Sequence, residues 1–298
     1  MIDPLIEVVS LLQPHAPFCK VVSGAGAWRI RRSESGRPFY CAIIDGSCRL
    51  QDAGHEPVTL HAGDFVLIPS ADTFTMSSVD ATSADDFETT PVALLNGEFR
   101  LGNESDPPDV SLLVGYCDFG SPDAALLVSL LPRLVHVRGQ KRLSTLVQLI
   151  VEESRGLRPA REAILVKLLE ILMLEAFRAG PGNPDSPGLV RGMNDERLAV
   201  ALRRMHEELA RPWTVEQMAN EAALSRSAFY ERFSRALGLA PVEYLFAVRM
   251  AQAKRLLRMN DVGGIAAVAE RVGYASASAF SVAFSRHVGM SPSRFVQE

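Results

Sequence analysis

The sequence predicts a multidomain α+β protein. An N-terminal β-barrel with attendant helices precedes a C-terminal all-α domain built from two helix-turn-helix units. Three observations lead there. Between Lys20 and about Gly120, short apolar runs alternate with turn residues, the pattern of many short strands. The stretch from Gly180 to Gly188 holds three Pro and three Gly and reads as a linker. Beyond it one helical pattern occurs twice, about fifty residues apart, and a duplicated unit is worth far more than a single match. The expected boundaries are a barrel at 1–137, helical connectors at 138–180, a linker at 181–193 and the double helix-turn-helix domain at 194–298.

Composition bounds the class. The chain has 298 residues and is 47% apolar, which suits two globular domains. It has no apolar run long enough to cross a membrane and no charged-then-apolar leader, so a cytoplasmic location is expected. The four Cys (Cys19, Cys41, Cys48, Cys117) have neither CxxC spacing nor paired His, which fits reduced thiols. The net charge of −4 is unevenly spread. Residues 194–298 carry fourteen Lys/Arg against eleven Asp/Glu, or +3, and the remainder carries seventeen against twenty-four, or −7. Only the C-terminal part is mildly basic, far short of a non-specific nucleic-acid binder.

In chain order, residues 3–12 carry apolar side chains at 5, 8, 9 and 12 and predict a short helix that Pro14 and Pro17 break. Strand-like runs follow at 28–31, 39–44, 48–51, 58–60, 65–69, 92–98 and 111–116, punctuated by Asp45-Gly46 and Asp52-Ala53-Gly54. Many short strands at this spacing predict a sandwich or small barrel. Residues 140–155 and 160–178 are two amphipathic helices, the second with a wide stripe of Ile164, Leu165, Leu168, Leu169, Leu172 and Met173. Such a stripe serves either the barrel's own core or a partner subunit. Residues 193–210 predict the first helix of the C-terminal domain.

The duplicated unit occupies 213–292. Thr214 caps a helix carrying Val215, Met218 and Ala219; Ser225 caps a second with Phe229, Phe233 and Leu237 on one face; Gly238 stops it. The second copy has Ile265, Val268 and Ala269, a break at Gly273-Tyr274, a cap at Ser276, the pair Phe280 and Phe284, and a stop at Gly289. A helix beginning at Pro241 joins them. At about 1.5 Å per residue it spans roughly 27 Å, enough to hold two recognition helices near one DNA turn apart.

These residues, with Arg232, Arg249 and Pro292, strongly resemble the DNA-binding domain of AraC/XylS-type transcription regulators. The resemblance implies that base-reading positions fall at Ser227, Tyr230 and Glu231, that Arg226 and Arg232 serve phosphates or packing, and that Arg249 braces the two subdomains. Glu231 can accept from a cytosine amino group or pair with Arg235 one turn on. In the second unit Ala277, Ser278, Ser281 and Val282 face outward with no long donor for guanine, so this unit is expected mainly to position the protein, through the helix N-terminus at Ser276 and through Arg286 on phosphates.

The run Leu60-His-Ala-Gly-Asp-Phe-Val-Leu-Ile-Pro69, with residues 39–46, resembles the cupin-type sensor domain found ahead of some AraC-type DNA-binding domains. Metal-binding cupins use a His-x-His pair, a Glu and a later His. Here there is no His around Tyr40–Ala42, the later position falls near Phe74, and His55 and His61 lie elsewhere, so no metal, cofactor or catalytic residue is expected. A barrel without ligands reads as a pocket for a small molecule, with Trp28, Tyr40 and Phe74 as candidate effector contacts. A cysteine-based oxidant sensor is the alternative, with Cys19, Cys41 and Cys117 as candidates and Lys20 able to lower the Cys19 pKa. A metal-dependent cupin enzyme is the remotest reading. The implied partners are double-stranded DNA, a small-molecule effector, RNA polymerase and a second copy of the chain, since helices like 140–155 and 160–178 mediate dimerisation in the resembled family.

Overall fold

In chain order the elements are α1 (Pro4–Leu12), β1 (Pro14–Ala25), β2 (Arg29–Asp45), β3 (Ser47–Asp52), β4 (Val58–His61), β5 (Phe65–Ser77), β6 (Val92–Ala93), β7 (Phe99–Gly102), β8 (Val110–Phe119), α2 (Ala124–Ser129), β9 (Val135–Val137), α3 (Lys141–Arg155), α4 (Arg161–Ala179), α5 (Leu189–Asn194), α6 (Glu196–Glu207), α7 (Val215–Glu221), α8 (Arg226–Leu237), α9 (Pro241–Met259), α10 (Ile265–Arg271), α11 (Ala277–Val288) and α12 (Pro292–Gln297). The computed structural model describes residues 3–52, 56–80, 88–94, 97–121, 123–156, 158–180, 187–259 and 263–297. The expected turn at Ala53-Gly54, His55 and the first six linker positions (181–186) lie outside the described residues.

The chain forms two compact units that do not follow its order. One is Pro14–Phe119 with Arg133–Asn183; the other is Met1–Gln13, Gly120–Pro132 and Pro184–Glu298. This differs from a barrel domain running from 1 to 137. The reason lies in α1 and α2. Val8, Val9, Leu11 and Leu12 of α1 are buried, and α1 packs on α2, α5, α6 and α9 inside the second unit. The apolar face of a nine-residue helix must be covered, and here the C-terminal helices cover it.

The barrel unit is one nine-stranded sheet in the order β4-β3-β5-β2-β8-β1-β7-β6, with β9 paired to β5. The runs expected at 28–31 and 39–44 are the two ends of the single long strand β2, which follows β5 with register shifts on either side of Arg37. Such irregularities bend a long strand around a barrel. The expected strand at 92–98 is only Val92–Ala93, ahead of a separate β7. Strand β1 was hidden by its prolines: it starts at Pro14, and its pairing with β8 shifts between His15 and Phe18, where Pro17 has no N–H to donate.

Residues 39–43 are all buried, so β2 is covered on both faces. Phe39, Cys41 and Ile43 join Trp28, Phe74 and Met76 in the barrel core. Tyr40 lies on the other face, where α3 and α4 pack on each other and on β1. A Cβ at Gly115 would stand 2.1 Å from Tyr40 Cζ, so glycine there makes room for the tyrosine ring. Leu143, Val147 and Ile150 of α3 and Leu165, Leu169 and Leu172 of α4 are buried over this face.

The helical unit holds the duplicated pattern. The single helix expected over 193–210 is two, because Asp195 ends α5 and then caps α6 by accepting from Arg197 N and Leu198 N. The end of the expected linker is therefore helical. Among the described residues no helix is long and apolar enough to cross a membrane.

Candidate functional site

The first helix-turn-helix unit is α7 and α8. Thr214 and Gln217 form a reciprocal capping box on α7, and Ser225 Oγ accepts from Ala228 N at 3.3 Å on α8. The turn is closed by Leu224 N donating to Ala219 O at 3.0 Å, with Ala223 left-handed at φ 51°. The second unit, α10 and α11, repeats the turn and the cap of the second helix, although α10 itself starts at Gly264 with no side-chain cap. Tyr274 N donates to Ala269 O at 2.9 Å, Gly273 takes the left-handed position at φ 79°, and Ser276 Oγ accepts from Ala279 N at 3.1 Å. The inner faces also match: Phe229 and Phe233 stand 5.4 Å apart at 48°, Phe280 and Phe284 5.4 Å apart at 52°. Edge-on aromatic neighbours, Tyr244 on Phe233 and Phe295 on Phe284, complete each core.

These cores fix what faces out. On α8, Arg226, Ser227, Tyr230, Glu231 and Arg232 are exposed, Tyr230 by 49%. Glu231 is ion-paired with Arg235 one turn on. Arg232 Nε lies 2.5 Å from Asp195 Oδ2, and the bond from this guanidinium holds the Asp195 carboxyl below the usual carboxylate range despite partial burial. Among the described residues the side chains of Arg226 and Tyr230 make no hydrogen bond or ion pair, so both are available to a partner. On α11, Val282 is 68% exposed, and Ser276, Ser278 and Arg286 are exposed too. Ala277 and Ser281 are half-buried, and Ser281 Oγ donates back to Ala277 O at 2.7 Å.

Arg249 of α9 sits between the two units. Its Nε and Nη2 donate to Leu209 O at 3.0 and 2.8 Å, and Nη2 also donates to Arg211 O at 2.6 Å. The same guanidinium lies against Gly273 in the second turn, where a Cβ would stand 2.5 Å from Nη2. It thus ties the chain before the first unit to the turn of the second. Two polar networks were not visible in the sequence. Asp123 bridges Lys254 and His287, and His206 Nδ1 lies 2.5 Å from Glu7 Oε2 while its Nε2 lies 2.6 Å from Tyr244 Oη. Their partners are up to 199 residues apart, and no local spacing signals such a meeting.

The barrel unit holds a narrow, partly open apolar cavity. Phe18, Trp28, Phe39, Phe74, Phe99 and Tyr116 supply its aromatic lining, with Lys20 and Arg32 as its charged side chains. Two of the three expected effector residues, Trp28 and Phe74, line it. Tyr40 does not; the pleat sends it to the opposite face of β2, beside Gly115. The lining from β1, β7 and β8 could have been found by reading alternate residues of each strand.

The four thiols are free, and burial pushes each one up: Cys19 above its ordinary value, Cys41 well above it, and Cys48 and Cys117 to about 12. The expected lowering of Cys19 by Lys20 does not occur. The ammonium instead lies 3.8 Å from the centre of the Phe99 ring, and Cys19 Sγ faces Ile150 O at 4.0 Å on the helix-covered side of β1. Among the described residues no group of three or more His, Cys, Asp or Glu could hold a metal ion.

A pair of matched helix-turn-helix units on one helical scaffold, in the same chain as a barrel with an apolar cavity, defines a DNA-binding regulator with a cavity-bearing companion domain. Residues 3–180 match the Cupin family and residues 218–298 the family described as Helix-turn-helix domain. An AraC-like transcription regulator of Streptomyces lividans is 32% identical over 97% of this chain and 96% of its own length. Another from Streptomyces antibioticus is 31% identical over 97% of each chain. Among solved structures, the DNA-binding domain of AdpA in complex with a target DNA is 34% identical, covering 33% of this chain and 88% of that one, with a TM-score of 0.32. The chain belongs to the AraC-like transcription regulators, with an N-terminal cupin domain and a C-terminal helix-turn-helix domain that binds DNA.

Proposed function

We propose that this regulator reads base sequence mainly through α8, grips the backbone mainly through α11, and changes its hold on DNA when a small molecule occupies the barrel cavity. The observation that carries the first part is the contrast between the two outward faces. Tyr230 and Arg226 stand exposed and uncommitted on α8, whereas α11 offers Ser278, Val282 and a serine already bonded to its own helix. A tyrosine hydroxyl and a guanidinium can address base edges and phosphates; a valine offers only a contact to a thymine methyl. Arg232 and Glu231, each held by an internal ion pair, serve the scaffold before they serve DNA. The protein acts as a homodimer in the reducing cytoplasm, through the exposed apolar Leu149 of α3 and Ile164 and Ile171 of α4. We assign it no catalytic role. Burial of Cys41, Cys48 and Cys117, with Cys19 half-buried, favours ligand sensing over thiol chemistry.

Selection of binding sites from random DNA by the full-length protein, followed by competition assays, tests the reader assignment. Tyr230→Ala should lose about 1–3 kcal/mol at a few base pairs only, and Arg286→Ala should weaken all sequences alike. Equal, sequence-blind losses from both would overturn the division. The cavity has its own reporter, because Trp28 lines it and Trp213 is the chain's other tryptophan. In Trp213→Phe protein, titration with an apolar probe such as 1-aminoanthracene should quench Trp28 saturably. A Leu112→Trp change that fills the cavity should raise the probe's Kd at least about tenfold. Equal affinity in the filled variant would place the probe elsewhere.

A further inference from the structure

The two recognition helices are anchored from different parts of the chain. Helix α8 is tied by Arg232 to Asp195, the cap of α6, a residue of the C-terminal region itself. Helix α11 has its polar anchor in Asp123, which belongs to the short segment Gly120–Pro132 between strands β8 and β9. We propose that Asp123 is the positioning residue that sets the second recognition helix, and that the second unit's grip on DNA therefore depends on a segment leaving a strand of the ligand cavity.

The geometry is specific. One carboxylate oxygen, Asp123 Oδ1, accepts from Lys254 Nζ of α9 at 2.5 Å and from His287 Nε2 of α11 at 3.1 Å. Lys254 is only 4% exposed and Asp123 5%, so this is a buried charge pair rather than a surface bridge. Removing one member of such a pair strands the other charge in a low-dielectric site. His287 is in the last turn of α11 and carries Phe246 edge-on against its ring at 5.2 Å, so among the described residues its imidazole meets the Asp123 carboxylate and an apolar wall. The aromatic contacts of α11 are non-directional, whereas the bond that His287 gives to Asp123 fixes one orientation of its last turn.

The segment that presents Asp123 is itself pinned. Gly120 N donates to Gln13 O at 3.0 Å, Ser121 N to Leu12 O at 3.2 Å, and Arg258 Nη1 to Gly120 O at 2.9 Å. Covalently, it continues strand β8, whose Leu112, Val114 and Tyr116 line the cavity. Gln13 leads just as directly into β1, which contributes Phe18 and Val22 to the same cavity. A displacement of either strand end by a bound molecule reaches Asp123 along the backbone.

The inference rests on the two-unit reading of DNA, and a footprint on a site selected by the wild-type protein tests both. Wild-type protein should protect two major-groove segments about one helical turn apart. The informative variant is Asp123→Leu with Lys254→Met, which removes both buried charges together, an exchange that is often neutral for stability. Thermal melting should confirm that it folds. Its overall Kd should rise at least about tenfold, a loss of about 1.4 kcal/mol, and at saturating protein it should protect the first segment but not the second. His287→Phe, with Asp123 and Lys254 intact, should give the same split. If the double variant protects both segments like wild type, Asp123 is merely the counterion of Lys254 and the proposal falls. If wild type protects a single segment, the two-unit reading falls and this role with it.

Discussion

The two helix-turn-helix units share one backbone plan but meet its hardest demand differently. Each turn needs a left-handed residue just before the recognition helix. The second uses Gly273 at φ 79°, the first uses Ala223 at φ 51°. A residue with a Cβ is strained there by roughly 1–2 kcal/mol, and glycine is not. The first turn has extra support that offsets the strain: Arg197 Nη1 donates to Ala223 O at 3.1 Å. Among the described residues no side chain braces the second turn in this way, and it has no room for a side chain either, since Arg249 and Ala210 O crowd the Gly273 position. One turn tolerates a side chain because its surroundings are open; the other cannot, because a structural arginine fills the space.

The largest effect should follow from copying the first solution into the second. Gly273→Ala imposes a strained φ and brings a Cβ within 2.5 Å of Arg249 Nη2 and 2.8 Å of Ala210 O. Unfolding in urea should show a loss of about 2–4 kcal/mol. A loss under about 1 kcal/mol would mean that the Arg249 fork yields easily and is not what separates the two turns.

Arg249 is the next place to break the comparison. Its three hydrogen bonds to Leu209 O and Arg211 O need a planar fork, which an ammonium cannot reproduce. Arg249→Lys should cost about 1–2 kcal/mol and should relieve part of the Gly273→Ala penalty in the double variant, because the clashing Nη2 is gone. Strict additivity of the two changes, measured by a double-mutant cycle, would contradict contact between them.

What was legible in the sequence follows the range of the interaction. Caps, glycine stops and paired aromatics act over a few residues, and Thr214, Ser225, Ser276, Gly238, Gly289 and both Phe pairs stand where local rules put them. The double helix-turn-helix architecture is therefore legible almost whole. The barrel is legible as a class but not in register: Pro14 and Pro17 conceal β1, and Tyr40, an expected cavity residue, falls by strand alternation in the opposite set from Phe39. The allocation of α1 and α2 to the helical unit was not legible at all. It rests on long-range pairs such as Glu7 with His206 and Asp123 with Lys254, where sequence spacing carries no signal.

The smallest effect is the converse exchange, and it separates strain from crowding. Ala223→Gly removes the left-handed penalty but adds backbone freedom to the unfolded chain, so the two contributions partly cancel. Ala223 is exposed, and the change removes only a methyl group. The Arg197 bond goes to its carbonyl oxygen and survives the change. A net gain of about 0.5–1 kcal/mol in the urea unfolding of the helical domain is expected, with DNA affinity unaltered. A destabilised variant would mean that the Ala223 methyl contributes packing that outweighs its strain. The first turn would then be built around its alanine rather than tolerating it, and the two units would differ in design and not only in crowding.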